Sequence, residues 1–122
     1  MIQIHGNGAF AFPNKPHNKA ILEVTELFNN PRYCTKGISE TVPLLTQIIL
    51  WDLIDSMEVE EKDYLQVFKL TATDSKTQHV THTQEQPPYE RTLEFRTDNP
   101  ITAKIFVIDD ETHTTMLLAE EY

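Results

Sequence analysis

Apolar positions along this chain follow two periods, and the change from one to the other marks the architecture. Between Pro43 and Met57, the residues Gln47, Leu50, Trp51, Ile54 and Met57 recur at three- and four-residue spacing, so they share one face of a helix. A proline lacks only an N–H that a first turn leaves unbonded, which suits Pro43 to the helix start, with Thr41 and Ser39 upstream as candidate caps. Asp52, Asp55 and Ser56 fall on the other side, and Leu45, Ile48 and Ile49 fall there with them. Three aliphatics beside two aspartates leave two readings open. Either the chain's own loops cover them, or they form a contact surface for a partner or a second copy.

After the helix the period becomes two. Leu65 and Val67 share one face of a strand, and Tyr64, Gln66, Phe68 and Leu70 share the other. Thr71–Lys76 reads as a turn, and the β-branched run Thr77–Gln84 folds back as a hairpin that Pro87-Pro88 interrupts. In Tyr89–Arg96, Leu93 and Phe95 point inward while Thr92, Glu94 and Arg96 point outward. A final hairpin joins Ile101–Ile108 to His113–Ala119 around Asp109-Asp110-Glu111-Thr112. Upstream of the helix, Arg32–Ile38 reads as a short first strand after the turn-prone Phe28-Asn29-Asn30-Pro31. Strands this closely connected pair antiparallel. The pattern predicts an α+β domain: one main helix, about residues 43–57, packed on a mostly antiparallel sheet of about five to six strands.

Composition narrows the function classes. The 122 residues suit one domain, and 39% hydrophobic content supports a packed core. No apolar run approaches the roughly 20 residues that span a bilayer. The N-terminus lacks a secretion pattern, and the single cysteine, Cys34, excludes an internal disulfide and suits a reducing cytoplasm. The net charge of −9 disfavours direct nucleic-acid binding and suits either plain solubility or a basic partner surface.

Residues 1–26 differ from the rest. Two of the three glycines and little periodicity give them the composition of a flexible arm, and Lys15 and Lys19 balance Glu23 and Glu26, so the whole −9 belongs to Leu27–Tyr122. Leu22-Glu23-Val24 can be encoded by a ribosome-binding sequence, with Leu27 as a TTG start codon. Two accounts of the arm stand: a native flexible extension, or translated upstream DNA before a domain that starts at residue 27.

Several stretches together resemble a known family. Phe28-Asn29-Asn30-Pro31-Arg32-Tyr33-x-Thr35-Lys36-Gly37-Ile38, the helix with Pro43 and Leu50-Trp51-x-Leu53-Ile54-Asp55, Asp63-Tyr64-Leu65-Gln66-Val67-Phe68 and Gln84-Glu85-Gln86-Pro87-x-Tyr89 are similar to domain-of-unknown-function family nine-sixty. The resemblance covers about residues 28–90. It implies an origin in low-GC Gram-positive bacteria and their mobile elements, and a beginning near Leu27. It implies no activity and carries over no catalytic residue.

Chemistry-bearing constellations are few. His79 and His82 lie three apart on a strand and therefore point to opposite faces, which argues against one shared metal ion. His82, Gln84 and Gln86 share a face, with Tyr89 just past the prolines, and form a candidate polar cluster for a small ligand or peptide, against the alternative of a solvent-facing sheet surface. Cys34 has the signature of a small core residue rather than of a nucleophile. No phosphate loop, paired-histidine zinc helix or nucleophile elbow is present. The sequence therefore leads to no cofactor, no metal and no catalytic residue, and leans away from an enzyme. Its first function class is a small acidic protein-interaction or accessory protein, acting through the candidate surface Leu45, Ile48, Ile49, Asp52 and Asp55, with a protein partner or a homodimer. Its second is an acidic nucleic-acid mimic that inhibits a nucleic-acid enzyme or defence system, built on Asp55–Asp63, Asp109-Asp110-Glu111 and Glu120-Glu121. A ligand or enzyme site around His82, Gln84 and Tyr89 is third.

Overall fold

A computed structural model describes Ile2, Gln3 and residues 27–122. The expectations about the rest of the 1–26 arm lie outside the described residues. The described elements run in the order β1 (Ile2–Gln3), β2 (Arg32–Cys34), α1 (Lys36–Thr41), α2 (Leu44–Asp55), β3 (Leu65–Asp74), β4 (Thr77–Gln84), β5 (Tyr89–Arg96), β6 (Ala103–Asp109) and β7 (Thr114–Leu118). They form one sheet in the order β1-β2-β7-β6-β3-β4-β5. Every neighbouring pair is antiparallel except β2 with β7, which is parallel. The class is α+β, as the periodicity predicts.

The short first strand needs correction. It stops at Cys34, and the residues expected to extend it begin α1 instead. Thr35 is the reason: its hydroxyl accepts the Ile38 N–H at 3.3 Å and its carbonyl accepts the Ser39 N–H, which closes a helical turn. Among the described residues, two helices therefore lie on the sheet rather than one. Pro43 is the cap position of α2, where it makes no side-chain bond; neither Thr41 nor Ser39 caps this helix. The Gln47 amide reaches back to the Val42 carbonyl at 2.8 Å and ties the two helices together.

The core lies between these helices and one face of the sheet. Leu50, Trp51, Ile54, Phe68, Leu70, Val80, Ile105, Val107 and Met116 are all buried there, with Ile38 and Val42 from the α1 segment. Gln47, Leu50, Trp51, Ile54 and Met57 are buried as the helical period predicts, and Thr46 and Leu53 join them. The connection from β5 to β6 crosses the end of β4 and β3. The buried Gln78 side chain holds it by accepting the Ile101 N–H at 2.8 Å and donating to the Ile101 carbonyl at 2.9 Å. On the outer sheet face Phe106 meets the Tyr122 ring edge-on.

Candidate interaction surface

The outer face of α2 carries the most conspicuous apolar exposure among the described residues. Leu44, Leu45 and Ile48 are 65%, 59% and 50% exposed, and they are neighbours at three- and four-residue spacing. Leu44 extends the predicted candidate set. Asp52 is exposed one turn beyond Ile48. Ile49 departs from that set, because it is half-buried and packs against the core. Asp55 departs in another way: its carboxylate takes both terminal nitrogens of Arg32, at 3.1 Å and 2.5 Å. The candidate surface thus reduces to Leu44, Leu45, Ile48 and Asp52.

Arg32 is the centre of a lock that sequence reasoning did not find. It is buried on β2, pairs with Asp55 of α2, donates to the Phe28 carbonyl at 3.0 Å and lies 4.7 Å from the centroid of the Trp51 ring. Beside it, the buried Asp109 accepts the Phe28 N–H, the Asn30 side-chain amide at 3.2 Å and the Glu111 N–H at 2.6 Å. Thr114 completes the set by donating to the Asn30 side-chain oxygen at 2.6 Å. The opening Phe28–Arg32 segment is thereby fastened to α2 and to the β6–β7 hairpin. Its available signal was Arg32 itself, a charged residue at an inward-facing strand position.

The candidate polar cluster is rearranged. His82 and Gln84 point into the core and not to solvent, which corrects the alternative of a solvent-facing surface. His82 stacks on Phe68 with ring centroids 4.3 Å apart and meets Tyr89 edge-on at 5.4 Å. Its Nε2 lies 2.6 Å from the Gln66 side-chain oxygen. That oxygen accepts only, so Nε2 carries the proton and the unpartnered Nδ1 is a bare lone pair. Gln66 in turn donates to Gln84 at 2.7 Å, and Gln84 donates to the Glu61 and Pro87 carbonyls. Burial, reinforced by the nearby positive charges of Arg91 and Lys62, pushes the His82 pKa down to about 4. Gln86 is exposed in the turn and stands apart, contributing only its backbone N–H to Asp63. Apart from that Nδ1, the buried polar side-chain atoms of the cluster bond one another and nearby backbone groups.

The remaining candidates resolve simply. His79 points to the outer face toward Glu94, so the two histidines are on opposite faces. No group of three or more potential ligands is placed to hold a metal among the described residues. Cys34 is buried, and burial pushes its thiol pKa up, away from nucleophile chemistry. Several carboxylates of the acidic stretches also hold the local fold. Asp63 accepts the Leu65 and Gln86 N–H groups, Asp110 accepts the Thr112 and His113 N–H groups, and Glu121 accepts from Thr35, Gly37 and Leu118. No helix among the described residues is long and apolar enough to cross a membrane.

Among the described residues, an open, mostly antiparallel sheet with two helices on one face, a locked opening segment and an apolar helix face define a small α+β domain. The family described as "Staphylococcal protein of unknown function (DUF960)" matches residues 31–121, and the chain belongs to that family. The match carries the resemblance through the last thirty or so residues. A crystal structure of a protein of unknown function from Enterococcus faecalis is similar, with a TM-score of 0.61 and 27% identity, over 75% of this chain and 89% of that one. No curated protein matches.

Proposed function

We propose that this chain is a small non-enzymatic interaction protein and that a partner protein docks on the outer face of α2. One observation carries the reading: Leu44, Leu45 and Ile48 are three of the five exposed large hydrophobics among the described residues, and they sit within little more than one helical turn. Each of these half-exposed aliphatics forfeits part of the roughly 1.5–3 kcal/mol that full burial would supply. An apolar centre with Asp52 at its rim has the anatomy of a modest protein interface. The rival readings have less support. Asp55, Asp63, Asp109 and Glu121 are engaged in holding the fold, which leaves fewer carboxylates to imitate a phosphate backbone. His82 and Gln84 are buried in their own network, which leaves no open polar site there.

Photocrosslinking tests the proposal. A photoreactive residue at position 48 is compared in a staphylococcal extract with one at Lys69, an exposed position on the sheet. A partner captured from position 48 alone, and lost on Leu45→Glu, is the expected result. Equal capture from both positions, or capture unaffected by Leu45→Glu, overturns it.

A further inference from the structure

The two edges of the sheet are built differently. One ends in β1, a strand of two residues, which is how sheets commonly blunt an edge. The other ends in β5, eight residues long, free of proline and paired with β4 without a register shift. Among the described residues nothing pairs with its far side. The Thr97 N–H bonds the Lys76 carbonyl across the β4–β5 pair. Antiparallel pairing alternates, so Leu93 and Phe95 turn their backbone groups toward β4, and Glu90, Thr92, Glu94 and Arg96 turn theirs outward. On the helix side of this edge, Leu93 and Phe95 are only partly covered.

We infer that two copies of this chain join through β5, antiparallel about a two-fold axis at Leu93, into one continuous sheet. The side chains select that register. Centring on Leu93 places Glu90 opposite Arg96 of the second copy, and Arg96 opposite its Glu90. Thr92 and Glu94 pair between them, and the outward-turned backbone groups of these residues are the ones that bond. On the helix side Leu93 meets its counterpart and Arg91 meets the Phe95 ring of the other copy. Centring on Thr92 would set Glu90 against Glu94, centring on Arg91 or Glu94 would oppose like charges, and centring on Phe95 would leave most of the strand unpaired. Charges on an edge strand ordinarily guard it against pairing. Here their spacing makes the edge complementary to itself, as a two-fold interface requires.

Sedimentation of the full chain tests this. The wild type should run at twice 14.1 kDa. Glu90→Arg and Arg96→Glu should each raise the dimer dissociation constant about tenfold or more, which is about 1.4 kcal/mol. The double substitution, which restores both pairs with their signs exchanged, should return it toward the wild-type value. Thr92→Pro removes an N–H that faces away from β4, so it should abolish the dimer while circular dichroism remains unchanged. A wild type that stays monomeric at its highest soluble concentration overturns the inference. So does a dimer indifferent to both single charge reversals, or one that Ile48→Glu dissociates while Glu90→Arg does not. That last outcome would move the interface to α2 without touching the evidence for β5 as a free edge.

Discussion

Two polar clusters are buried on the helix-covered face of the same sheet, and they are made from opposite materials. Around Arg32 the groups carry formal charge: a guanidinium, Asp55 and Asp109, joined across sequence separations of 23 and 81 residues. Around His82 they are neutral: an imidazole and the amides of Gln66 and Gln84, on neighbouring strands that pair in any case. The difference follows from the task. Segments remote in sequence lose much chain entropy on meeting, and charge-assisted bonds of fixed geometry hold them more strongly than neutral ones. Asp55 remains 46% exposed, so that pair does not bear the full penalty of a dry ion pair. The neutral cluster has no opposite charge at hand, so its histidine must stay unprotonated to remain inside.

The largest effect should come from the wall of the charged cluster. Trp51→Ala removes a buried indole and the ring against which Arg32 lies, and should cost roughly 3–5 kcal/mol in denaturant melts. A shift of under about 1 kcal/mol would mean that Arg32, not the indole, organises this corner.

The next effect separates the clusters by pH. With the His82 pKa at about 4 in the fold and about 6.5 in the unfolded chain, the unfolded state binds a proton that the native state refuses in that interval. The stability contribution is therefore complete above about pH 6.5 and is lost as pH falls to about 4, up to roughly 3 kcal/mol. His82→Phe should flatten that dependence, at the cost of about 1–2 kcal/mol at neutral pH, because the Gln66 oxygen loses its donor. Urea melts at about pH 7 and about pH 4.5 read both quantities; an unchanged pH slope in the variant would assign the loss to another group.

Asp109→Asn probes the charged cluster more gently. One carboxylate oxygen becomes an amide that faces the donors of Phe28, Asn30 or Glu111, and about 2 kcal/mol should be lost. The loss should appear first as hydrogen-exchange exposure of the Phe28 and Glu111 amides, because the opening segment is what this carboxylate holds.

How far the sequence reveals these clusters depends on the element. Period-two alternation locates β3 to β7, and three- and four-residue spacing locates the buried face of α2, since each depends on burial along one element. The parity of β4 was also legible, though easily misread. Val80 is its aliphatic residue, and Gln78, His82 and Gln84 share its face, so the polar residues had to be inside with it. Polarity alone suggests solvent; only the three-dimensional partners, Gln66 and the backbone carbonyls, make such burial affordable. Helix α1 was masked by the β-forming run Arg32–Cys34, and its signal was the cap Thr35 followed by Ile38 and Val42 at four-residue spacing. The pairing of Asp109 with the Phe28 amide has no local sequence signature, because the two groups meet only when the sheet is complete.

The smallest expected effect on stability falls on the surface to which the proposed function is assigned. Ile48 and Ile49 are adjacent and chemically identical, and helical geometry separates them by about a quarter turn. Ile49 packs against the core, so Ile49→Glu buries part of a charge and removes aliphatic contact; a loss of about 1–2 kcal/mol should follow. Ile48 is half exposed and lies outside the core cluster, so Ile48→Glu should stay within about 0.5 kcal/mol of the wild type. Paired thermal melts of the two variants measure the contrast. Equal losses would mean that Ile48 is covered in solution, and the apolar face of α2 would then belong to the fold rather than to a partner. A stable Ile48→Glu, together with partner capture from a photoreactive residue at position 48, would place the same residue outside the stability of the domain and inside its contacts.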